Sequence, residues 1–252
     1  MASLRVLTYH RILDPDSAAA VDPSIISATP KVFEWQMRYL RKHYVPVSVM
    51  EVLEAAESAR SLPRKSVLVT FDDGYRDFGE VAWPILRRYG IPAVLFVPTA
   101  FPGCPQREFW WDRVFRSVMF SERKSIDIPP LGPLALDGPE KRIAAIRELQ
   151  AYIKSRPQRE AMAFADDVCR RAGEPVPVTG QILSWSELRT LVDDGLTVGL
   201  HTRTHAALDQ LTTSEIRSEI SGARADLMSH LGVAPPVIAY PYGSHSPNVV
   251  AT

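Results

Sequence analysis

Cysteine, net charge and long apolar runs are all scarce in this sequence, and each scarcity excludes a class of protein. The two cysteines, Cys104 and Cys169, are too few for a disulfide framework in 252 residues, so we expect both to be free thiols. Lys+Arg and Asp+Glu both number 29, and no basic stripe disturbs that balance, which argues against a nucleic-acid partner. The longest apolar stretch, around Ala93–Val97, is too short for a membrane span.

The amino terminus lacks the marks of a secretory signal. Met1-Ala2-Ser3-Leu4-Arg5 leads straight into a strand-like run, without a basic region, a long apolar core or a small-residue cleavage site. We therefore expect a cytoplasmic protein, with a removed leader and an extracellular or periplasmic location left open. The sequence predicts no oligomeric state.

What the sequence does contain is an alternation of strand-like and helix-like segments. Short apolar runs, typical of parallel strands buried on both faces, occur at Leu4–Tyr9, Val67–Phe71, Ala93–Val97, Leu196–Leu200 and Val237–Tyr240. Helical patterns occur at Lys31–His43, Phe78–Tyr89, Ser184–Asp194 and Thr213–His230. This alternation predicts an α/β fold with a parallel sheet or barrel.

The stretch from about residue 101 to 180 departs from this rhythm. It begins with a turn rich in proline and glycine, continues with Phe109-Trp110-Trp111, and ends with helical patterns at Glu140–Ser155 and Gln158–Ala172. We interpret it as a helical insertion within one domain that spans residues 1–252. The tryptophan pair either packs the insertion or offers aromatic faces to a sugar.

Two adjacent carboxylates, Asp72 and Asp73, stand where the apolar run Ser66–Phe71 meets Gly74. Ligands of α/β sheets and barrels bind at the carboxyl ends of strands. Successive side chains on extended backbone point to opposite sides, so a bend at Gly74 is needed to bring both carboxylates to one site. Taken alone, Asp-Asp-Gly is more typical of a polar turn.

Two imidazoles, His201 and His205, follow the run Leu196–Leu200 at the corresponding end of another strand. A lone His-x-x-x-His is a weak signal, but two imidazoles with one carboxylate match an open catalytic zinc site that keeps a position for water. Zinc lowers the pKa of bound water to about 7, and a second carboxylate beside that water can accept its proton. The combination predicts a hydrolytic metal site.

A third motif, Tyr240-Pro241-Tyr242-Gly243, follows the last predicted strand. Such a turn can present a backbone N–H to a developing oxyanion. By itself it is an ordinary turn, and its interest comes from its place relative to the other two motifs.

The three motifs, in this order, resemble those of the polysaccharide deacetylase family, also called carbohydrate esterase family 4. Thr70–Tyr75 resembles the first motif, His201–His205 the second and Tyr240–Gly243 the third, and Leu7–Ile12 resembles the first strand of many members. Members remove acetyl groups from N-acetylated sugars in chitin, peptidoglycan or exopolysaccharides. The resemblance implies an irregular (β/α) barrel of seven or eight strands and an acetylated polysaccharide or oligosaccharide as substrate.

The resemblance also implies a role for each matching residue. Asp72 takes the place of the catalytic base. Asp73, His201 and His205 take the places of the ligands to a divalent metal, with Zn²⁺ as the first choice. The backbone of Tyr242 takes the place that helps to hold the oxyanion.

The sequence departs from the family pattern in two respects. Ala239 stands where the family often has an arginine that orients the base. The chain also reaches Thr252 without the later strands and without the Leu-x-His motif that supplies a general acid, and His245 does not match that motif. We therefore expect an incomplete domain, a barrel that lacks its C-terminal strands. For His10, at the end of the first strand, two roles stay open: it lines the mouth of the same site, or it has a packed structural role, which is the more common one.

Three functions stay open at this point. The first is a zinc-dependent sugar deacetylase, which the intact first two motifs favour. The second is a non-catalytic or fragmentary relative that binds metal and glycan, which Ala239 and the missing histidine motif favour. The third is an unrelated metal-dependent amidohydrolase of small amides, which a sealed pocket rather than a long groove would favour.

Overall fold

The structure, a computed structural model, describes residues 4–252 of the chain. Its strands are β1 (Arg5–Tyr9), β2 (Arg11–Ile12), β3 (Ile26–Ala28), β4 (Val45–Pro46), β5 (Ser66–Phe71), β6 (Ala93–Val97), β7 (Ser125–Ile128), β8 (Gly132–Ala135) and β9 (Thr197–Leu200). Its α-helices are α1 (Pro30–His43), α2 (Val49–Glu57), α3 (Trp83–Arg88), α4 (Trp110–Met119), α5 (Pro139–Lys154), α6 (Gln158–Ala172), α7 (Trp185–Asp193), α8 (Thr213–Leu231) and α9 (Pro247–Ala251).

A parallel sheet with the strand order β1-β5-β6-β9 carries the fold, and β4 also pairs with β5. One row of the sheet holds Tyr9, Phe71, Leu95 and Val198, so the carboxyl ends of four strands lie at one edge. The predicted α/β class with a parallel sheet is confirmed. Within residues 4–252 the pairing does not return to β1, so these strands form an open sheet rather than a closed barrel.

The core of the sheet is aromatic near the ends of β1 and β5. The rings of Tyr9, Phe33, Phe71 and Phe78 contact one another with centroids 4.8–5.7 Å apart. Every residue of β5 and β6 is buried, as expected for strands covered on both faces. The same expectation is wrong for the start of β1, where Val6 is 51% exposed, because β1 lies at the edge of the sheet.

The strand predicted at Val237–Tyr240 is reduced to a single bridge between Leu200 and Ile238. Pro236 and Pro241 flank it, and a proline has no N–H to contribute to a ladder. The prediction of a full strand is therefore wrong, although the segment still lies beside the end of β9.

The helix predicted at Phe78–Tyr89 is split. A π-helical turn, Phe78–Ala82, precedes α3. Pro84 explains the break, because it has no N–H to donate to the carbonyl group four residues earlier. No helix in the part of the chain that the structure describes is long and apolar enough to cross a membrane.

The described residues divide into two compact units. The first holds the residues up to Ser17 together with Ser24–Pro105 and Gly180–Thr252, and it contains the parallel sheet. The second holds Ala18–Pro23 and Gln106–Thr179.

Within the second unit, the two predicted helices are confirmed as α5 and α6, whereas α4 and the antiparallel hairpin β7–β8 were not predicted. Trp110 and Trp111 both belong to α4, and each is only 7% exposed. Phe109 stacks on Trp111 with ring centroids 4.3 Å apart. The alternative that this pair forms an exposed sugar-stacking platform is therefore wrong.

Candidate metal centre

The carboxylate pair lies directly beyond the end of β5. The backbone N–H of Asp72 donates to the carbonyl of Tyr9 at 3.0 Å, which extends the pairing with β1 by one residue. Asp73 and Gly74 then both adopt left-handed backbone, with φ of 75° and 71°. A Cβ added at Gly74 would make only ordinary contacts, with Val97 at 3.6 Å, so this glycine is required by its backbone angles rather than by space. The predicted bend is present, but it begins at Asp73.

The histidine pair lies beyond the end of β9, as the sequence predicted, and both residues belong to a loop. His201 and His205 are both buried. Thr202 and His205 have φ of 60° and 62°, a conformation that costs a residue other than glycine about 1–3 kcal/mol. The loop therefore turns sharply enough to bring back the second imidazole beside the first.

Asp73, His201 and His205 converge on one point. The Oδ1 atom of Asp73 lies 3.5 Å from His201 Nε2 and 3.3 Å from His205 Nε2. One ligand atom from each of the three residues lies within 4.8 Å of the other two. The structure thus brings together the three side chains that the sequence singled out as metal ligands.

The geometry of this trio fits a divalent metal better than direct hydrogen bonding. Asp73 Oδ1 is buried and accepts no hydrogen bond from the residues that the structure describes. Tetrahedral zinc, with bonds of about 2.0–2.2 Å to nitrogen and oxygen, holds its ligand atoms about 3.3–3.6 Å apart, which matches both distances from Asp73. A buried acceptor facing two imidazole nitrogens is a set of ligand atoms that suits such an ion.

A backbone carbonyl orients one of the imidazoles. His201 Nδ1 lies 2.9 Å from the carbonyl oxygen of Ala239, so Nδ1 carries the hydrogen and Nε2 keeps its lone pair toward Asp73. This contact could not be predicted from the sequence, because it depends on the backbone of Ala239 and not on its side chain. Ala239 thus contributes to the site through its backbone.

The pKa values of the two carboxyl groups, Asp72 and Asp73, are shifted in opposite directions. Burial raises the pKa of Asp72, and the charge of Asp73 adds to that effect, while His201 and His10 oppose it. Burial would also raise the pKa of Asp73, but its two imidazole neighbours outweigh burial and hold that pKa well below its usual range. Asp72 is thus the more readily protonated of the two carboxylates.

The pKa values of the two imidazoles are also shifted in opposite directions. Burial lowers the pKa of His205. Burial acts on His201 too, but its contacts with Asp73 and the charge of Asp72 outweigh it, and the pKa of His201 is raised.

Two further side chains border the centre. His10 Nε2 lies 4.0 Å from Asp72 Oδ2 and its side chain is 41% exposed, so the expectation of a packed role for His10 is wrong. Tyr242 has φ of 60°, and its ring meets His205 edge-on with centroids 4.8 Å apart. The role of the Tyr242 backbone at an oxyanion stays a prediction.

Comparison with known proteins places the chain in a family. The sequence profile described as polysaccharide deacetylase matches residues 59–114 and 150–252. A poly-beta-1,6-N-acetyl-D-glucosamine N-deacetylase of Escherichia coli (strain K12) is 35% identical over 89 residues, which cover 35% of this chain and 13% of that protein. A protein of the same name from Staphylococcus aureus (strain N315) is 31% identical over 109 residues, which cover 40% of this chain and 38% of that protein. The match therefore spans well under half the length of these curated relatives.

Alignments with solved structures of the same fold cover nearly the whole chain. IcaB from Ammonifex degensii aligns with a TM-score of 0.61 and 23% identity, covering 100% of this chain and 79% of that one. The Streptococcus pyogenes deacetylase PplD, in complex with acetate, aligns with a TM-score of 0.59 and 17% identity, covering 99% of this chain and 77% of that one. These likenesses show the fold, and the profile match over both motif regions shows the relationship: this chain belongs to the polysaccharide deacetylase family.

Proposed function

We propose that this chain is a metal-dependent hydrolase that removes N-acetyl or O-acetyl groups from an acetylated polysaccharide or oligosaccharide. The observation that carries the proposal is the convergence of Asp73, His201 and His205 on one buried point, with Asp72 adjacent to it. The names of the relatives in Escherichia coli and Staphylococcus aureus support a sugar N-acetyl group as the target.

The residues of the trio would hold the ion, and Zn²⁺ suits their two nitrogens and one oxygen. When bound, such an ion supplies Lewis acidity toward a carbonyl oxygen and lowers the pKa of water. The carbonyl of Ala239 keeps His201 in the tautomer that such binding needs.

Asp72 is suited to the role of general base. Its side chain is 15% exposed, which leaves one edge toward solvent, and burial raises its pKa toward the working range of a base. In the proposed reaction Asp72 accepts a proton from the attacking water, whose oxygen bonds to the acetyl carbon. The proton held by Asp72 then passes to the leaving nitrogen or oxygen as the carbon–nitrogen or carbon–oxygen bond of the acetyl group breaks, and the products are acetate and a free amine or hydroxyl.

Tyr242 completes the proposed set. Its left-handed backbone reverses the chain beside His205, where a backbone N–H can meet negative charge on the acetyl oxygen. Its exposed ring, at 43%, stands at the border of the same site.

The test is release of acetate from acetylated glucosamine oligosaccharides by the full chain. We expect release by the zinc-loaded protein, loss after chelation and recovery when Zn²⁺ is returned. Asp193→Asn, which changes an exposed carboxylate on α7, serves as a control that keeps activity. Release that persists unchanged after complete removal of metal would contradict the proposal.

A second candidate, a relative that binds metal and glycan without turnover, is favoured by Ala239 in place of the arginine that often orients the base. The same assay separates the two functions. Zinc binding and glycan binding without acetate release, in the parent and in Asp72→Asn alike, would establish this second function instead.

A further inference from the structure

Helix α8 turns one face toward the loop that joins the two histidines of the metal centre. Glu219, Gly222 and Asp226 lie three, four and seven residues apart, which places them on one side of a helix. Arg203 crosses this face: its Cδ lies 3.1 Å from where a Cβ of Gly222 would stand, and its Nε donates to Asp226 at 3.1 Å. The histidine loop is therefore held against α8.

Glu219 makes the closest contacts of that face with the loop. Its Oε2 accepts the backbone N–H of Arg203 and the backbone N–H of Thr204, each at 2.8 Å. Its Oε1 accepts the hydroxyl of Thr204, also at 2.8 Å. One carboxylate thus holds two consecutive backbone donors and a side chain between His201 and His205, and hydrogen bonds to a charged acceptor are the stronger kind.

The loop needs such support because its backbone is strained. Thr202 and His205, on either side of the residues that Glu219 holds, both have left-handed backbone without being glycine. Conformations of this kind persist only where the surrounding structure fixes them. The backbone N–H of Ala100 also holds the loop, through the carbonyl of Arg203 at 2.8 Å, but Glu219 is the acceptor for the N–H groups of Arg203 and Thr204. If these two N–H groups were released, the strained backbone at Thr202 and His205 would be less firmly fixed, and the imidazoles would be less well placed.

We propose that Glu219 is a positioning residue of the metal centre, one that holds the histidine loop in the conformation in which His201 and His205 both face Asp73 and that thereby sets the affinity for zinc. It contacts neither the ion nor a substrate, and it acts through the backbone of the loop. The inference rests on the proposed function for the identity of the ion.

The chain offers a matched control one helical turn away. Glu215 lies on the same helix and also accepts a backbone N–H, that of Thr212, at 2.8 Å. This contact belongs to a capping box at the start of α8 and does not involve the histidine loop. Removal of either glutamate side chain weakens α8 or its packing, but only Glu219 contacts the loop that carries the two histidines.

The first measurement is the Kd for Zn²⁺, by competition with a chromophoric chelator. We expect Glu219→Ala to raise Kd about 10–100-fold, the range found when partners of metal ligands are removed. Glu219→Gln should raise Kd much less than Glu219→Ala does, because its amide oxygen still accepts both N–H groups, although without the negative charge, and its amide nitrogen can donate to the Thr204 hydroxyl. Glu215→Ala should lower the melting temperature and leave Kd unchanged. An unchanged Kd in Glu219→Ala, or an equal rise in Glu215→Ala, would overturn the inference.

The second measurement does not depend on the proposed function. Hydrogen exchange of the amides of Arg203 and Thr204 in metal-free protein reports directly on the contacts with Glu219. We expect exchange about tenfold faster in Glu219→Ala and unaltered in Glu215→Ala. If the parent binds no zinc, the proposed function fails, and this exchange experiment still decides whether Glu219 holds the loop: equal exchange rates in all three proteins would show that it does not.

Discussion

Asp72 and Asp73 are adjacent and chemically identical, and the structure gives them opposite surroundings. Asp73 turns into a buried space between two imidazoles, which keeps it charged, whereas Asp72 lies at an edge where burial makes it easier to protonate. The sequence predicts that both reach one site, because the apolar run before them ends there. It could not predict that the backbone turns at Asp73 itself, because a left-handed aspartate is fixed by tertiary contacts and not by local preference.

The first prediction separates the roles of these two carboxylates. Asp72→Asn should lower the rate of acetate release about 10²–10⁴-fold, the usual contribution of a general base, and leave the Kd for zinc close to that of the parent. Asp73→Asn should raise Kd itself, by at least the 10–100-fold that is typical of losing an outer partner of a ligand. Calorimetric titration with Zn²⁺ and an acetate assay, run on both variants, check this. Equal effects of the two changes on Kd would contradict the division.

The two cysteines provide a second prediction. Both are free thiols, as the sequence predicted, but Cys104 is exposed whereas Cys169 is buried in the second unit. Burial raises the pKa of Cys169, so at a given pH a smaller fraction is the reactive thiolate. At pH 8 iodoacetamide should modify Cys104 well before Cys169, and mass spectrometry of the digested protein can follow both. Comparable labelling rates in the native protein would mean that Cys169 is accessible; in denaturant the two should become similar.

Among the elements, those with strong local signals were the most predictable. Helices α1, α7 and α8 begin with a side-chain cap, and their predicted bounds agree with the structure to within one residue. The hydrophobic pattern of the sequence did not predict the strands correctly where tertiary contacts decide whether a strand forms. The two-residue strand β4 is too short to show a period, and the segment Val237–Tyr240 has apolar residues but neighbouring prolines.

Strand β9 contains a glycine that its neighbour requires, and this gives a third prediction. A Cβ added at Gly199 would lie 2.5 Å from two ring carbons of Phe96 on β6. Gly199→Ala should therefore reduce the free energy of unfolding by about 1–3 kcal/mol, the usual cost of overpacking. Urea denaturation of Gly199→Ala, of Phe96→Leu and of the double variant measures this. In the Phe96→Leu background the cost of Gly199→Ala should shrink, because the ring is gone, and strictly additive costs would refute the steric explanation.

At the scale of the whole molecule, the order of the strands in the sheet determines which motifs meet at the site. The row formed by Phe71, Leu95 and Val198 shows that β5 and β9 lie on either side of β6. Phe71 is the last residue of β5, whereas β9 continues two residues beyond Val198, to Leu200. Neighbouring strands are about 4.8 Å apart, so β5 and β9 run about 10 Å from each other across β6, and a carboxylate from one strand end and two imidazoles from the other span this distance. The sequence predicts that both motifs reach the same edge, but it contains no local signal for which strands are neighbours, because pairing is decided by long-range packing.

A fourth prediction follows for the stability of the whole chain. An ion that binds the folded state alone adds RT ln(1 + [L]/Kd), about 2.7 kcal/mol when free zinc is 100 times Kd. Thermal melting should therefore move upward with added Zn²⁺ in the parent. The shift should vanish in His201→Ala and persist in His43→Ala, which removes an imidazole from the last turn of α1. A shift of equal size in His201→Ala would mean that zinc binds elsewhere.

Among the described residues, six other than glycine have left-handed backbone, and four of these belong to the motifs of the candidate metal centre: Asp73, Thr202, His205 and Tyr242. Each conformation lowers the stability of the fold, so selection for stability alone would drift these positions toward glycine. Relatives that have lost the activity should therefore acquire glycine at these positions. Their thermal stability should rise, and their ligand side chains should be held less rigidly. The residues at these strained turns can therefore be used to sort diverged sequences of this fold. Sequences that keep residues other than glycine there are under selection to bind an ion, and sequences with glycine there are not.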